Sequence, residues 1–229
     1  MMYQSQFIEM FGDPMTNDMG WEEYGEISRF ARIVLGSTPK STEPSYWDGD
    51  IKWITPAEMT EESYYINDTE RHLTEAGLKS ANLTLLPYRA VLFSTRAPIG
   101  KVGIVGSPMY CNQGFKNFIC GYMLNPVFLF YTLKFKKDYL VSLGTGTTFK
   151  ELSKKTVESL KIIVPNIELQ NRFEEIYNQA DKSKFDSFNS QFSARNYFPM
   201  YEIKRQTKIT EAICRQADGS RTDGKKLFQ

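Results

Sequence analysis

LPYRAVLFSTRAPIGKVGI, Leu86–Ile104, holds two apolar runs around a break. Ala90–Ser94 (AVLFS) and Val102–Val105 are short and rich in β-branched and aromatic residues, which suits strands. Arg96-Ala97-Pro98-Ile99-Gly100 separates them, and its proline and glycine make it a loop. The pattern predicts two strands, with Arg96 and Lys101 flanking the loop between them.

More strands follow on either side. Ile51–Thr55 (IKWIT) alternates and is strand-like, with Asp48-Gly49-Asp50 as a turn signal before it. Ala31–Pro39 (ARIVLGSTP) is a short apolar run ending in turn residues, and Asn117–Cys120 (NFIC) reads as another strand. Asn125-Pro126 opens a helix, because asparagine caps well and proline suits the first helical position. Leu143–Thr147 (LGTGT) is a glycine-rich loop. Thr148-Phe149-Lys150-Glu151 matches a capping box. Ser153–Leu160 looks helical, and Leu160–Val164 reads as a strand ended by Pro165.

At the start, Met2–Phe11 has helical apolar spacing and is stopped by Gly12-Asp13-Pro14. Near the other end, Ile167–Phe192 is the longest helical candidate. Its Leu169, Phe173, Ile176 and Ala180 keep the alternating spacing of a coiled-coil seam, and Phe185, Phe188 and Phe192 continue the stripe after a slip in register; packing on the chain's own domain is the alternative. Ile203–Gln229 carries 7 Lys/Arg against 3 Asp/Glu, and partial disorder is expected there.

The composition narrows the class. Of 229 residues, 41% are hydrophobic and 24% charged, as in ordinary soluble proteins. No window is apolar enough for a membrane span, and cytoplasmic residence is expected. Three cysteines without a CxxC pair argue against a disulfide framework or a structural zinc. His72 is the one histidine, so neither a catalytic triad nor a multi-histidine metal site emerges.

The net charge of +1 hides an asymmetry. Trp21–Glu75 holds 5 Lys/Arg against 12 Asp/Glu, whereas Ala76–Pro165 holds 12 against 3. The basic stretch is interleaved with aromatics, which suits a phosphate backbone. Pairing of the two stretches on folding would explain the same asymmetry. Gly144–Thr148 with Lys150 sits at an expected helix start, where free N–H groups favour an anion; a plain capped turn is the alternative. Thr147 is its candidate contact. Ser37-Thr38-Pro39-Lys40 and Tyr46-Trp47 offer hydroxyls, a cation and rings. Asn112-Gln113-Gly114 offers amides able to pair with adenine, or to brace a loop. Asn125-Pro126-Val127-Phe128 resembles the Asn-Pro-Pro-Tyr/Phe loop of amino-methyltransferases, but lacks the second proline and is fully explained as a helix start.

The order of motifs says more than any one of them. GSTPK (Gly36–Lys40), YWDGDIKWIT (Tyr46–Thr55), HLTEAGLKSA (His72–Ala81), the Leu86–Ile104 stretch, CNQGFKNF (Cys111–Phe118), NPVFLFYTL (Asn125–Leu133), GTTFKELSKKTVESLKIIVP (Gly146–Pro165) and IELQNRFEEI (Ile167–Ile176) follow one another. The series resembles one target recognition domain, with its following helix, of a type I restriction-modification specificity subunit. The resemblance runs from about Met2 to Phe185.

It implies an α/β (α+β) recognition domain built on a twisted, largely antiparallel sheet and followed by a long C-terminal helix. The implied organisation is the end of a spacer helix (1–12), a DNA recognition domain (13–166), a dimerisation or spacer helix (167–192) and a divergent tail (193–229). Such subunits usually hold two recognition domains, each reading half of a split DNA sequence. They catalyse nothing; S-adenosylmethionine, ATP and magnesium serve the partner methyltransferase and restriction/translocase subunits. This chain resembles a C-terminal half, so a homodimer through Leu169, Phe173, Ile176, Ala180 and Phe188 is expected. Double-stranded DNA is the expected ligand. Lys101, Lys116, Lys150, Lys154 and Lys155 are the phosphate candidates, and Lys40, Tyr46, Arg96 and Gln113 the readout candidates. The alternative is a truncated or vestigial half that occupies methyltransferase subunits without directing them to DNA.

Overall fold

The computed structural model describes the backbone of residues 2–61, 63–146 and 150–192, and within these spans the side chains of residues 5–179. The chain divides into a unit Met1–Ala180 and a second unit Asp181–Gln229. Of the second, the backbone of residues 181–192 is described, as helix; the tail 193–229 lies outside the described residues.

In chain order the elements are α1 (Met2–Phe11), β1 (Tyr24–Glu26), β2 (Ala31–Leu35), β3 (Trp47–Ile54), β4 (Tyr65–Ile66), β5 (Arg71–Leu73) and α2 (Glu75–Ser80). There follow β6 (Val91–Thr95), β7 (Ile99–Val105), β8 (Tyr110–Cys111), β9 (Lys116–Cys120), α3 (Pro126–Phe135), α4 (Lys137–Ser142), α5 (Lys154–Glu158), β10 (Lys161–Ile163) and α6 (Ile167–Phe192). Five strands form the main sheet in the order β2-β9-β6-β7-β4, antiparallel except for the β4–β7 pair. A second sheet has the order β5-β3-β8, and β1 pairs with β10.

The central strand β6 is buried throughout, which is why its sequence is apolar rather than alternating. Val91 and Phe93 point into a core built with α1, α3 and α6; Leu92 points into a core with Val34, Ile54, Met59, Met109 and Phe115. Helix α3 is apolar on nearly every side and buries Val127 through Leu133. Asn125 caps it, accepting from the Val127 N–H at 2.7 Å.

The first turns of α6, through Glu174, are locked onto this core by both apolar and polar contacts. Phe173 is 1% exposed and meets Phe7, Phe11 and Tyr131 at ring distances of 5.5, 5.5 and 5.2 Å. At Phe173 and Leu169 the alternative to a coiled-coil seam holds: Phe173 serves the chain's own core, and Leu169 packs partly against it. Ile176 is half-buried, and the side chains of Ala180 and Phe188 lie outside the described residues. Buried Gln170 donates to the Pro165 carbonyl at 2.6 Å and the Met123 carbonyl at 3.0 Å, and accepts from the Asn125 N–H at 2.8 Å. Arg89 forms a two-point pair with Glu174 at 2.5 and 2.9 Å, and Asn125 adds a bond to the same carboxylate at 2.7 Å.

Three local expectations change. Asp48-Gly49-Asp50 is not a turn before a strand but a bulge inside β3, where the register with β5 shifts between Trp47 and Ile51 and Asp48 takes φ +62. The loop between β6 and β7 is shorter than expected, because Ile99 already pairs with Thr95. The helix expected to start from Thr148 starts at Lys154 instead, where Ser153 accepts from the Thr156 N–H at 3.0 Å. Thr148 lies outside the described residues, and Glu151 is drawn into backbone bridges with Thr145 and Arg96.

Phe173→Ala is expected to lower stability by about 3–5 kcal/mol in urea denaturation, the usual cost of truncating a buried phenylalanine. An unchanged midpoint with a changed oligomeric state would return Phe173 to an inter-chain seam. Burial alone would raise the Glu174 carboxyl, but hydrogen bonds from Arg89 and Asn125 and the Arg89 charge hold it below the ordinary 4.5. A depressed folded value contributes stability above the unfolded value and loses it as pH falls through the folded one. The wild type is thus expected to lose stability more steeply below pH ~4 than Glu174→Gln, read from thermal midpoints across an acid series.

Candidate nucleic-acid interface

Strand pairing gathers several loops at one end of the main sheet. Leu35 lies opposite Lys116 at the β2–β9 end, and Thr95 lies opposite Ile99 at the β6–β7 hairpin. The Thr95 N–H donates to the Gly114 carbonyl at 2.8 Å, so the hairpin tip and the 112–114 loop are neighbours. Gly36 brings in the 36–40 loop: a Cβ there would meet the Asn112 carbonyl oxygen at 1.9 Å, so only glycine permits the approach. The Ser37 N–H donates to the Cys111 carbonyl at 3.0 Å, and the Thr38 hydroxyl donates to the Gln113 side-chain carbonyl. Asn112 turns inward, accepting from the Gly114 N–H at 2.8 Å, so it braces the loop. The 55–58 segment joins through Lys101, whose ammonium donates to the Pro56 carbonyl at 2.9 Å.

Trp47 and Trp53 tie the small sheet to the same loops. Their indole N–H groups donate to the Lys40 carbonyl at 3.3 Å and to the Ser37 carbonyl at 3.0 Å. Tyr46, half-buried, precedes Trp47, and Lys40 is exposed. On the hairpin side, Arg96 faces Glu151 at 3.8 Å, and exposed Lys150 adjoins that carboxylate in sequence. The structure thus brings Lys40, Tyr46, Arg96, Lys101, Gln113 and Lys150 to one end of the fold. Lys154 and Lys155 are exposed on α5, where Lys154 pairs with Glu158 at 3.2 Å; among the described residues no hydrogen bond or ion pair ties either to the loops. Thr147 lies outside the described residues.

Lys116 is a correction. It is 5% exposed, pairs with Glu151 at 2.9 Å and donates to the Thr95 hydroxyl at 3.1 Å. A phosphate cannot reach an ammonium so enclosed; Lys116 braces the loops instead. Part of the charge asymmetry is likewise internal, since Lys137 of the basic stretch holds Glu61 of the acidic one at 2.5 Å and keeps its carboxyl below the ordinary range. Asn125 is committed to its cap and to α6, with no free amide for the methyltransferase-type loop it resembles. Burial pushes the Cys111 and Cys120 thiols up to about 12, far from a reactive thiolate.

The fold is antiparallel-dominated α/β with several loops gathered at one sheet end. The family described as type I restriction modification DNA specificity domain matches residues 19–211, and the chain belongs to it. The MjaIX type I restriction enzyme specificity subunit of Methanocaldococcus jannaschii is 35% identical over 159 residues, 68% of this chain and 37% of that protein. The MjaVIII specificity subunit of the same organism is 33% identical over 204 residues, 84% of this chain and 43% of that protein. The chain therefore spans less than half the length of either. The crystal structure of the HsdS subunit from Thermoanaerobacter tengcongensis shares the fold with a TM-score of 0.59 at 18% identity, over 83% of this chain and 45% of that one. A chain from a study of complex assembly and conformational transition in the type I R-M system reaches 0.61 at 20% identity, over 84% of this chain and 47% of that one.

Glu151→Ala leaves the Lys116 ammonium buried without its carboxylate, a loss expected to cost about 3 kcal/mol in urea denaturation. Lys116→Met removes the buried charge as well and is expected to cost clearly less. Equal costs would show that the pair contributes packing rather than charge compensation.

Proposed function

We propose that this chain is a recognition module of a type I restriction-modification specificity subunit and reads one half of a bipartite DNA target. The family match over residues 19–211 carries the reading, and the loop end of the sheet supplies a surface for it. Lys101 and Lys150, with Lys154 and Lys155 on α5, hold phosphates; Lys40, Tyr46, Arg96 and Gln113 face base edges. Phosphate contacts set register and affinity, and the loops set sequence.

The same proposal assigns chemistry to other chains. A methyltransferase subunit and a restriction/translocase subunit are the partners, and S-adenosylmethionine, ATP and magnesium belong to them. The second half-site is read by a second recognition domain, here assigned to another copy of the chain. Phe173 and Leu169 are used in the chain's own core, so a pairing surface has to draw on other residues.

Selection from a randomised duplex pool, followed by gel shift over a salt series, tests the reading. Wild type is expected to enrich a defined sequence. Lys150→Ala and Lys154→Ala are each expected to weaken binding across all sequences and to reduce the salt slope by about 1. No enrichment at any salt, with or without the methyltransferase subunit, would remove DNA reading and leave the subunit-occupying alternative.

A further inference from the structure

We infer that Arg71 is a base-reading arginine of this surface that selects a guanine, an assignment that rests on the DNA-recognition reading above. Arg71 lies in the acidic stretch Trp21–Glu75, away from the basic segment that supplies most of the other cations of the site. Pairing of β3 with β5 sets it directly across from Trp53. Its guanidinium carbon sits 3.6 Å from the Trp47 ring centroid and 5.4 Å from that of Trp53. The two indoles are themselves packed edge to face at 5.1 Å. They are also the rings whose N–H groups hold the Ser37 and Lys40 carbonyls, so Arg71 stands beside the loop that carries Thr38 and Lys40.

The arginine is placed by its surroundings yet left open to solvent. The Thr69 hydroxyl donates to the Arg71 carbonyl at 2.8 Å and accepts from the Trp53 N–H at 3.1 Å, which fixes the backbone there. The residue is exposed, and among the described residues no carboxylate pairs with it. The neighbouring acid, Asp68, faces Lys52 at 3.8 Å and His72 at 3.4 Å instead.

A guanidinium laid on an indole uses its face for the ring and keeps its N–H fork in the plane, directed outward. Stacking also removes much of the rotamer freedom that a free arginine surrenders on binding. A fixed planar fork matches two acceptors side by side, and guanine O6 and N7 are such a pair in the major groove. A phosphate contact needs charge but no planar platform, and exposed lysines already supply charge at this surface.

The test compares wild type, Arg71→Lys and Arg71→Ala by selection from a randomised duplex pool and by titration of the selected duplex against single-base variants. The full chain is used, alone and with co-expressed methyltransferase subunit. Both variants are expected to lose roughly ten- to a hundredfold discrimination at one guanine position and to keep preference elsewhere. Arg71→Lys is expected to keep the wild-type salt slope, since its charge remains. A uniform loss over all sequences with a slope reduced by about 1 in Arg71→Ala alone would make Arg71 a phosphate contact and overturn the assignment. Variants that enrich the wild-type motif unchanged would also overturn it, with DNA recognition intact. A wild type that enriches nothing overturns the DNA reading itself. Thermal midpoints within a few degrees of wild type separate these outcomes from misfolding.

Discussion

Val91 and Phe93 face one core and Leu92 the other, so the central strand needs cover on both sides. Much of the architecture follows from that requirement. One face takes α3, with α1 and α6 laid over it through the Phe7, Phe11, Phe128 and Phe173 rings. The other takes the loops and short strands around Met59, Met109 and Phe115. With both faces used, and the chain reversing at the tips of the strands, the sheet leaves its ends to loops. The loops at one end are then held by backbone hydrogen bonds from a rigid support, which is how a loop surface keeps a fixed shape.

Charge in this protein divides into paired and exposed groups. Lys116 with Glu151, Arg89 with Glu174, and Lys137 with Glu61 are spent inside the fold or across its surface. Lys40 and Lys150 remain exposed at the loop end. The excess of cations in Ala76–Pro165 therefore overstates what is exposed, while the acidic segment holds exposed Arg71, stacked on two indoles.

Elements with a local cause were legible in the sequence. The Asn125 cap, the stop at Gly12, the strands Ala90–Ser94 and Asn117–Cys120, and the long helix from Ile167 each follow from propensity, capping or apolar spacing within a few residues. Asp48-Gly49-Asp50 misled because the dipeptides that favour turns also suit a bulge, and only pairing with β5 distinguishes the two. Of the candidate site, Lys40, Arg96 and Gln113 were nominated from local motifs, and the structure places them near one end of the sheet. Arg71 was not nominated, because its setting comes from cross-strand pairing with Trp53 and a bulge that brings Trp47 beside it.

Sequence alone determined the class of fold and the family, since these rest on local periodicity and on the order of motifs. Tertiary structure decided which lysines face solvent and which are buried, since burial depends on partners up to dozens of residues away, as with Lys116 and Glu151. It also decided that Phe173 belongs to the chain's own core. A helical apolar stripe specifies that a surface must be covered, but only three-dimensional packing specifies by what.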